Sequence, residues 1–269
     1  MKDYTLKYGK GSVTFALDEA HVTELYGTPV PKIDDIRAAL YATLSSPVSH
    51  EPLESWVNPE DKVALIVSDM SRFWMRQDLV VPHIISYLTD KCDVNQNNIT
   101  IIIANGTHPG GDENELRTLV TDGVYDRIRV VNHDCQAKDL VYIGTTSLGT
   151  EVRINPIAAN ADKVIMLGAC TYHVMAGYGG GRKSILPGIS GLETIRQNHL
   201  HSLDLLAPRS NPLIGNGVTD GNPLNEDMCQ AAAMVKNLFG INLVTNADMQ
   251  LAHIISGDPM KAWQLACHR

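Results

Sequence analysis

Chemistry is concentrated between residues 168 and 201, GACTYHVMAGYGGGRKSILPGISGLETIRQNHLH. Five glycines lie between Gly168 and Gly181, three of them consecutive (Gly179, Gly180, Gly181), and Arg182, Lys183 and Ser184 follow at once. Glycine tolerates positive φ and lets backbone N–H groups approach an anion closely, so this segment reads as a phosphate cradle. It is not a Walker A loop, because Arg182 intrudes between the last glycine and the lysine, and no G-x-G-x-x-G opens a helix after the first strand. Histidines sit just past two apolar runs, His108 in NGTHPGG and His173 in TYHVMAG. Imidazole transfers protons near neutral pH, so two of them on neighbouring strand ends could face one substrate from opposite sides. In SDMSRFW, Arg72 could hold a carboxylate or phosphate in a two-pronged fork, or form a loop salt bridge with Asp69. Leu192, Ile195, His199 and Leu203 recur at helical spacing, which turns His199 inward as either a core histidine or a metal ligand.

Other chemistries lack their patterns. There is no H-E-x-x-H, no C-x-x-C and no G-x-S-x-G. The acidic run GGDENE (110–115) lacks EF-hand spacing and suits a helix N-terminus. A zinc hydrolase would need three convergent ligands; His173 and His199 could be two, with no distinct third. The net charge of −8 gives no basic field for nucleic acid or an acidic membrane. The cysteines, five in number and scattered, fit reduced thiols in a cytoplasmic protein. No run approaches a membrane span, and the first residues lack a secretory apolar run.

These residues must be held by the elements around them. Alternation over 4–16 predicts an early hairpin, and 31–45 an amphipathic helix opening on a proline. Strands are predicted at 63–69, 99–108, 128–134, 141–146 and 163–169, with helices at 79–90, 112–120 and, capped by Ser190, from 191 to about 203. The β-branched run ITIIIA suggests a strand covered on both faces. Alternating strands and helices predict an α/β fold with a mostly parallel sheet flanked by helices. Strands 63–69, 99–108 and 163–169 each deliver polar residues at the carboxyl end, where open α/β sheets bind ligands. At 269 residues the chain has room for one large domain or two small ones. Asp258-Pro259 opens a last helix that runs to the final residue, as in a docked tail or a fragment.

Taken together, SDMSR (68–72), ANGTHPG (104–110), YHVMAGYGGGRKSILPGI (172–189) and RQNH (196–199) resemble the N-terminal catalytic domain of the nickel-pincer lactate racemase family, along essentially the whole chain. The resemblance implies the N-terminal domain of a two-domain enzyme: residues 1–255 as the cofactor-binding catalytic domain, and 256–269 as the start of a linker helix toward a C-terminal domain. It implies that Lys183 forms a thioamide bond to a pyridinium mononucleotide whose two sulfur substituents hold nickel in a pincer, and that His199 is the protein's nickel ligand. His108 and His173 match the paired acid/base histidines, Arg72 the arginine that binds the substrate carboxylate, and Asp69 a neighbouring polar residue. Gly180 and Gly181 would let the nucleotide approach the backbone. The implied reaction is racemisation of a 2-hydroxy acid by proton-coupled hydride transfer. The implied partners are cofactor-synthesis proteins, without which the chain would be apoprotein, and its own C-terminal domain, without which it would be inactive or weak. A non-catalytic nucleotide- or phosphate-binding module built on GGGRKS is the alternative.

Overall fold

The computed structural model describes residues 1–9, 11–25 and 27–269 and divides into two compact units, Met1–Val30 and Pro31–Arg269. The first unit carries the expected hairpin, β1 (Lys2–Tyr8) paired antiparallel with β2 (Gly11–Leu17). The second unit carries every candidate site residue. Its elements run α1 (Ile36–Ser45), α2 (Leu53–Trp56), β3 (Val63–Ser68), α3 (Val81–Asp90), β4 (Ile99–Ala104), α4 (Glu113–Val120), α5 (Asp122–Tyr125) and β5 (Arg129–Asn132). Then follow β6 (Val141–Thr145), β7 (Glu151–Ile154), α6 (Pro156–Ala159), β8 (Lys163–Ala169), β9 (Tyr172–His173), β10 (Gly177–Tyr178) and α7 (Leu192–Leu200). The last are α8 (Pro223–Ala233), β11 (Leu238–Thr245), β12 (Leu251–Gly257) and α9 (Pro259–Cys267).

The central sheet has six strands in the order β12-β11-β8-β3-β4-β5, parallel throughout except for β12. That is the α/β fold the alternation predicts. Side-chain alternation splits the core in two. Leu65, Val67, Ile101, Ile103, Leu167 and Ile241 pack on one face beneath α1, α3 and α4. Ala64, Ile66, Ile102, Val164 and Met166 pack on the other, beneath α8 and the segment around Leu186. The chain leaves the centre in both directions, β3 to β4 to β5 on one side and β8 to β11 on the other. The carboxyl ends of β3 and β8 therefore flank a topological switch point.

Some local expectations are corrected. Residues 141–145 do not join the main sheet but pair antiparallel with β7 as a separate ribbon. Helix α1 begins at Ile36, where the Asp35 side chain accepts from Ala38 N at 2.9 Å, not at the proline. The β4 strand ends at Ala104, and Asn105–His108 form a turn beyond it. Ser190 does not cap α7: its hydroxyl donates to the Ile185 carbonyl, and Gly191 occupies the cap position. Helix α7 stops at Leu200, so Leu203 lies past its end.

Candidate active site

A cleft of about 470 Å³ opens at the carboxyl ends of β3, β4 and β8. Asp69, Arg72, His108, His173, Gly180, Lys183 and His199 all line it. Gly181 does not. It lies one layer beneath, at φ +50°, with N–H donated to Asn242 Oδ1 and with no room for a Cβ against the Trp263 ring.

His108 belongs to the β4 end. Its N–H donates to the Asn105 carbonyl, closing a turn in which Gly106 takes φ +55°. Its ring Nδ1 lies 2.5 Å from Asp69 Oδ2, and the other Asp69 oxygen accepts from Ser71 Oγ at 2.6 Å. A carboxylate only accepts, so Nδ1 carries a proton, and in the neutral ring Nε2 keeps the lone pair. Arg72 is exposed at the cleft, with Nη1 donating to Ser71 Oγ at 3.1 Å. The Asp69–Arg72 loop salt bridge is not formed; Asp69 pairs with His108 instead. Ser71 was not singled out in the sequence, though its place two residues after Asp69 is a common local hydrogen-bonding offset.

His173 is held differently. It sits in β9, a two-residue strand paired with β10. Its Nδ1 accepts from Met175 N at 3.2 Å and Ala176 N at 3.1 Å, which places the ring proton on Nε2. Nε2 lies 3.2 Å from Lys183 Nζ. Burial, then Lys183, Arg72, Arg182 and His199, pull the His173 pKa down to about 4. Lys183 stands in a single helical turn over Gly181–Ser184 and forms no ion pair among the described residues. Burial, then Arg182 and Arg72, lower its amine to about 7. His199 lies on the last turn of α7, where Nδ1 donates to the Ile195 carbonyl at 2.9 Å and leaves Nε2 free. Burial lowers its pKa as well. The adjoining Asn198 donates to Asp227 Oδ2 and to the Leu224 carbonyl, which pins that turn to α8.

The glycine loop is not a nest of free N–H donors. Gly179 N donates to the Thr171 carbonyl, Gly181 N to Asn242 and Lys183 N to the Gly180 carbonyl. Arg182 faces inward. It is 0% exposed, it donates to Asn225 Oδ1 and to the carbonyls of Ala176, Tyr178, Gly179 and Gly180, and it stacks 3.8 Å from the Trp263 ring centroid. Trp263, on α9, donates its indole N–H to the Gly179 carbonyl at 2.8 Å. Asn225 and Trp263 are far from the loop in sequence, and nothing local marks them. Gly180, at φ +69°, lies against Ala169 and Cys170, so a side chain there would lift the loop off β8. Among the described residues, no three His, Cys, Asp or Glu side chains gather as a metal-ligand set.

Residues 8–209 match the family described as the lactate racemase N-terminal domain. The chain belongs to that family. The lactate racemase of Thermoanaerobacterium thermosaccharolyticum is 26% identical over 276 residues, covering 99% of this chain and 62% of the relative. The lactate racemase of Lactiplantibacillus plantarum is 27% identical over 267 residues, covering 97% of this chain and 61% of the relative. The chain thus spans about three-fifths of the length of these relatives. The solved lactate racemase apoprotein from T. thermosaccharolyticum superposes with a TM-score of 0.87 at 25% identity, over 99% of this chain and 61% of that one. A Thermotoga maritima protein shares the fold at a TM-score of 0.65 and 19% identity, over 87% of this chain and 57% of that one. Family membership agrees with the fold and with the motifs that meet in the cleft. No helix of the described residues is long and apolar enough to cross a membrane.

Proposed function

We propose that this chain forms the catalytic cleft of a 2-hydroxy-acid racemase that works with a nickel-pincer nucleotide. The observation that carries the reading is the convergence of His108, His173, Lys183, His199 and Arg72 on one cleft. The donor set fits the group. Lys183 has an amine without an acid partner, depressed to near neutrality, as covalent attachment needs. His199 has its Nδ1–H tied to a carbonyl, which orients Nε2 as a ligand on a helix. Lys183 and His199 would therefore hold the cofactor, and Gly180 keeps the loop low enough to admit it. When bound, that cofactor supplies a hydride acceptor and donor for the substrate's α-carbon.

The chain's own residues do the rest. Arg72 takes the substrate carboxylate in a fork. His108 Nε2, with its lone pair set by Asp69, accepts the hydroxyl proton as the α-hydrogen leaves. Leaving as hydride avoids building a carbanion beside an ionised carboxylate. The product of that half is a planar 2-oxo acid, and His173 manages the hydroxyl proton for the other enantiomer. Two bases on one site are what interconversion of mirror-image alcohols demands.

The test is loading. The chain, co-expressed with the family's cofactor-synthesis proteins, is analysed by intact mass, adduct mapping and nickel content. A nickel-bearing adduct on Lys183 is expected. An unmodified chain, beside a longer relative loaded by the same proteins, would count against the reading.

A further inference from the structure

Lys183 is the feature of the cleft that has chemistry of its own before any cofactor is attached. Its Nζ contacts His173 Nε2 at 3.2 Å, and Met175 N and Ala176 N already occupy His173 Nδ1 as donors. The imidazole proton is therefore on Nε2 and points at the lysine. An N–H facing an ammonium has no acceptor, so the contact requires Nζ as a neutral amine whose lone pair receives the bond. The surroundings agree. Beneath the loop lies the buried Arg182 guanidinium, paired with carbonyls, Asn225 and an indole, with no carboxylate. The acid that lines the cleft, Asp69, is engaged by His108 and Ser71. A lysine that is desolvated and set beside another cation is the arrangement that makes an amine nucleophilic at neutral pH. Arg72, on the same cleft, is exposed; its Nη1 donates to Ser71, which leaves the Nε–Nη2 edge for an incoming carboxylate.

We propose that the cofactor-free chain binds 2-oxo acids covalently, as an imine on Lys183, with Arg72 holding the carboxylate. The amine recognises a carbonyl and the guanidinium a carboxylate, and together they select a small oxo acid. The step balances without a redox partner. Nζ attacks the carbonyl carbon, its proton passes to the oxygen, and the carbinolamine loses water to give the C=N bond. His173 Nε2–H, one hydrogen bond from Nζ, is placed to assist the departing hydroxyl. The proposal goes beyond the racemase reading and needs neither nickel nor nucleotide.

The experiment is reductive trapping of the full 269-residue chain, unloaded, at neutral pH, with pyruvate and sodium cyanoborohydride, followed by digestion and mass mapping. Cyanoborohydride delivers hydride to the imine carbon and fixes a secondary amine. A single adduct on Lys183 is expected, at a rate about tenfold or more above that with pyruvamide, its uncharged isostere, since the difference is one charge-assisted contact. Arg72→Met should erase that preference, bringing the pyruvate and pyruvamide rates together. Lys183→Arg, shown to be folded by thermal unfolding, should abolish the adduct. No adduct on Lys183, equal rates for the two probes, or labelling spread over surface lysines would each overturn the proposal. Failure here leaves the loading experiment untouched, whereas a chain already modified at Lys183 by the cofactor should no longer trap pyruvate.

Discussion

The two halves of the cleft use the same side chain in opposite settings. On the β3–β4 side, His108 is paired with the carboxylate of Asp69, which Ser71 steadies in turn. On the β8 side, His173 has no acid. It is held by two backbone N–H groups, and its neighbours are Lys183, Arg72, Arg182 and His199. One ring is set by an anion to present a lone pair; the other is set by the main chain to present a proton. Under the proposed function, a pair of acid/base residues need not be built symmetrically to serve mirror-image substrates. What must match is the set of protonation states during the reaction. The cleft biases one side by a fixed carboxylate and the other by burial and the Arg72 and Arg182 guanidinium groups, with covalent attachment of Lys183 removing the one amine that could add a further charge.

The largest expected effect tests whether both halves are needed. In the loaded enzyme, His108→Ala and His173→Ala should each lower racemisation by roughly 10²–10⁴-fold, the usual worth of a positioned proton carrier. Enantiomer composition followed over time reads this directly. Retention of most of the rate by either variant would reduce the comparison to one working histidine and one structural one.

Next comes stability, where the halves should respond with opposite sign. Lys183→Met removes an amine that the fold holds at about 7 against an ordinary 10.5. Between those values the unfolded chain binds the proton and the native state refuses it, so the native state is penalised below about 10.5, fully so below about 7. The variant should be more stable at pH 7, by about 2–4 kcal/mol after allowance for partial solvent access. The gain should shrink as pH approaches 10.5. Asp69→Asn, by contrast, weakens a largely buried acceptor shared by two donors and should cost about 1–3 kcal/mol. Urea titrations at pH 7 and pH 10 distinguish the signs. A destabilised Lys183→Met protein at pH 7 would mean that the fold does not penalise the Lys183 proton.

Much of this was legible beforehand, for identifiable reasons. The three strands that open the cleft have continuous apolar runs ending in polar residues, a pattern that depends only on nearest neighbours in sequence. His108, His173, Lys183 and His199 converge because each sits within a few residues of such an end or of a helix packed over it. What was illegible depends on distant partners. Arg182 reads as a phosphate ligand next to three glycines, yet Asn225 and Trp263 draw it inward. Ser190 reads as a helix cap, yet the Ile185 carbonyl takes its hydroxyl. The 141–145 strand reads like the others, but it is short and partly exposed, and it pairs with a neighbour ten residues on. Local pattern identifies an element; it does not reveal which of two acceptors, or which sheet edge, will claim it.

The smallest effect examines the electrostatic link itself. Burial is the leading cause of the low His173 pKa and Lys183 the second, followed by Arg72, Arg182 and His199. Removing the lysine's charge leaves burial and the other cations in place. In Lys183→Met the His173 pKa should therefore rise from about 4 by roughly one unit, and stay below the ordinary 6.5. The sign for stability follows. Between 6.5 and about 4 the unfolded chain takes up a proton that native His173 does not, so stability falls as pH drops through that window, and the variant should narrow the window from its acid end. Titration of the imidazole carbon-bound protons by NMR, with His173 assigned by its own substitution, measures the shift. An unmoved His173 would show that burial and the other cations set the β8 half without Lys183, and that neutralising Lys183 does nothing to prepare this histidine for proton transfer.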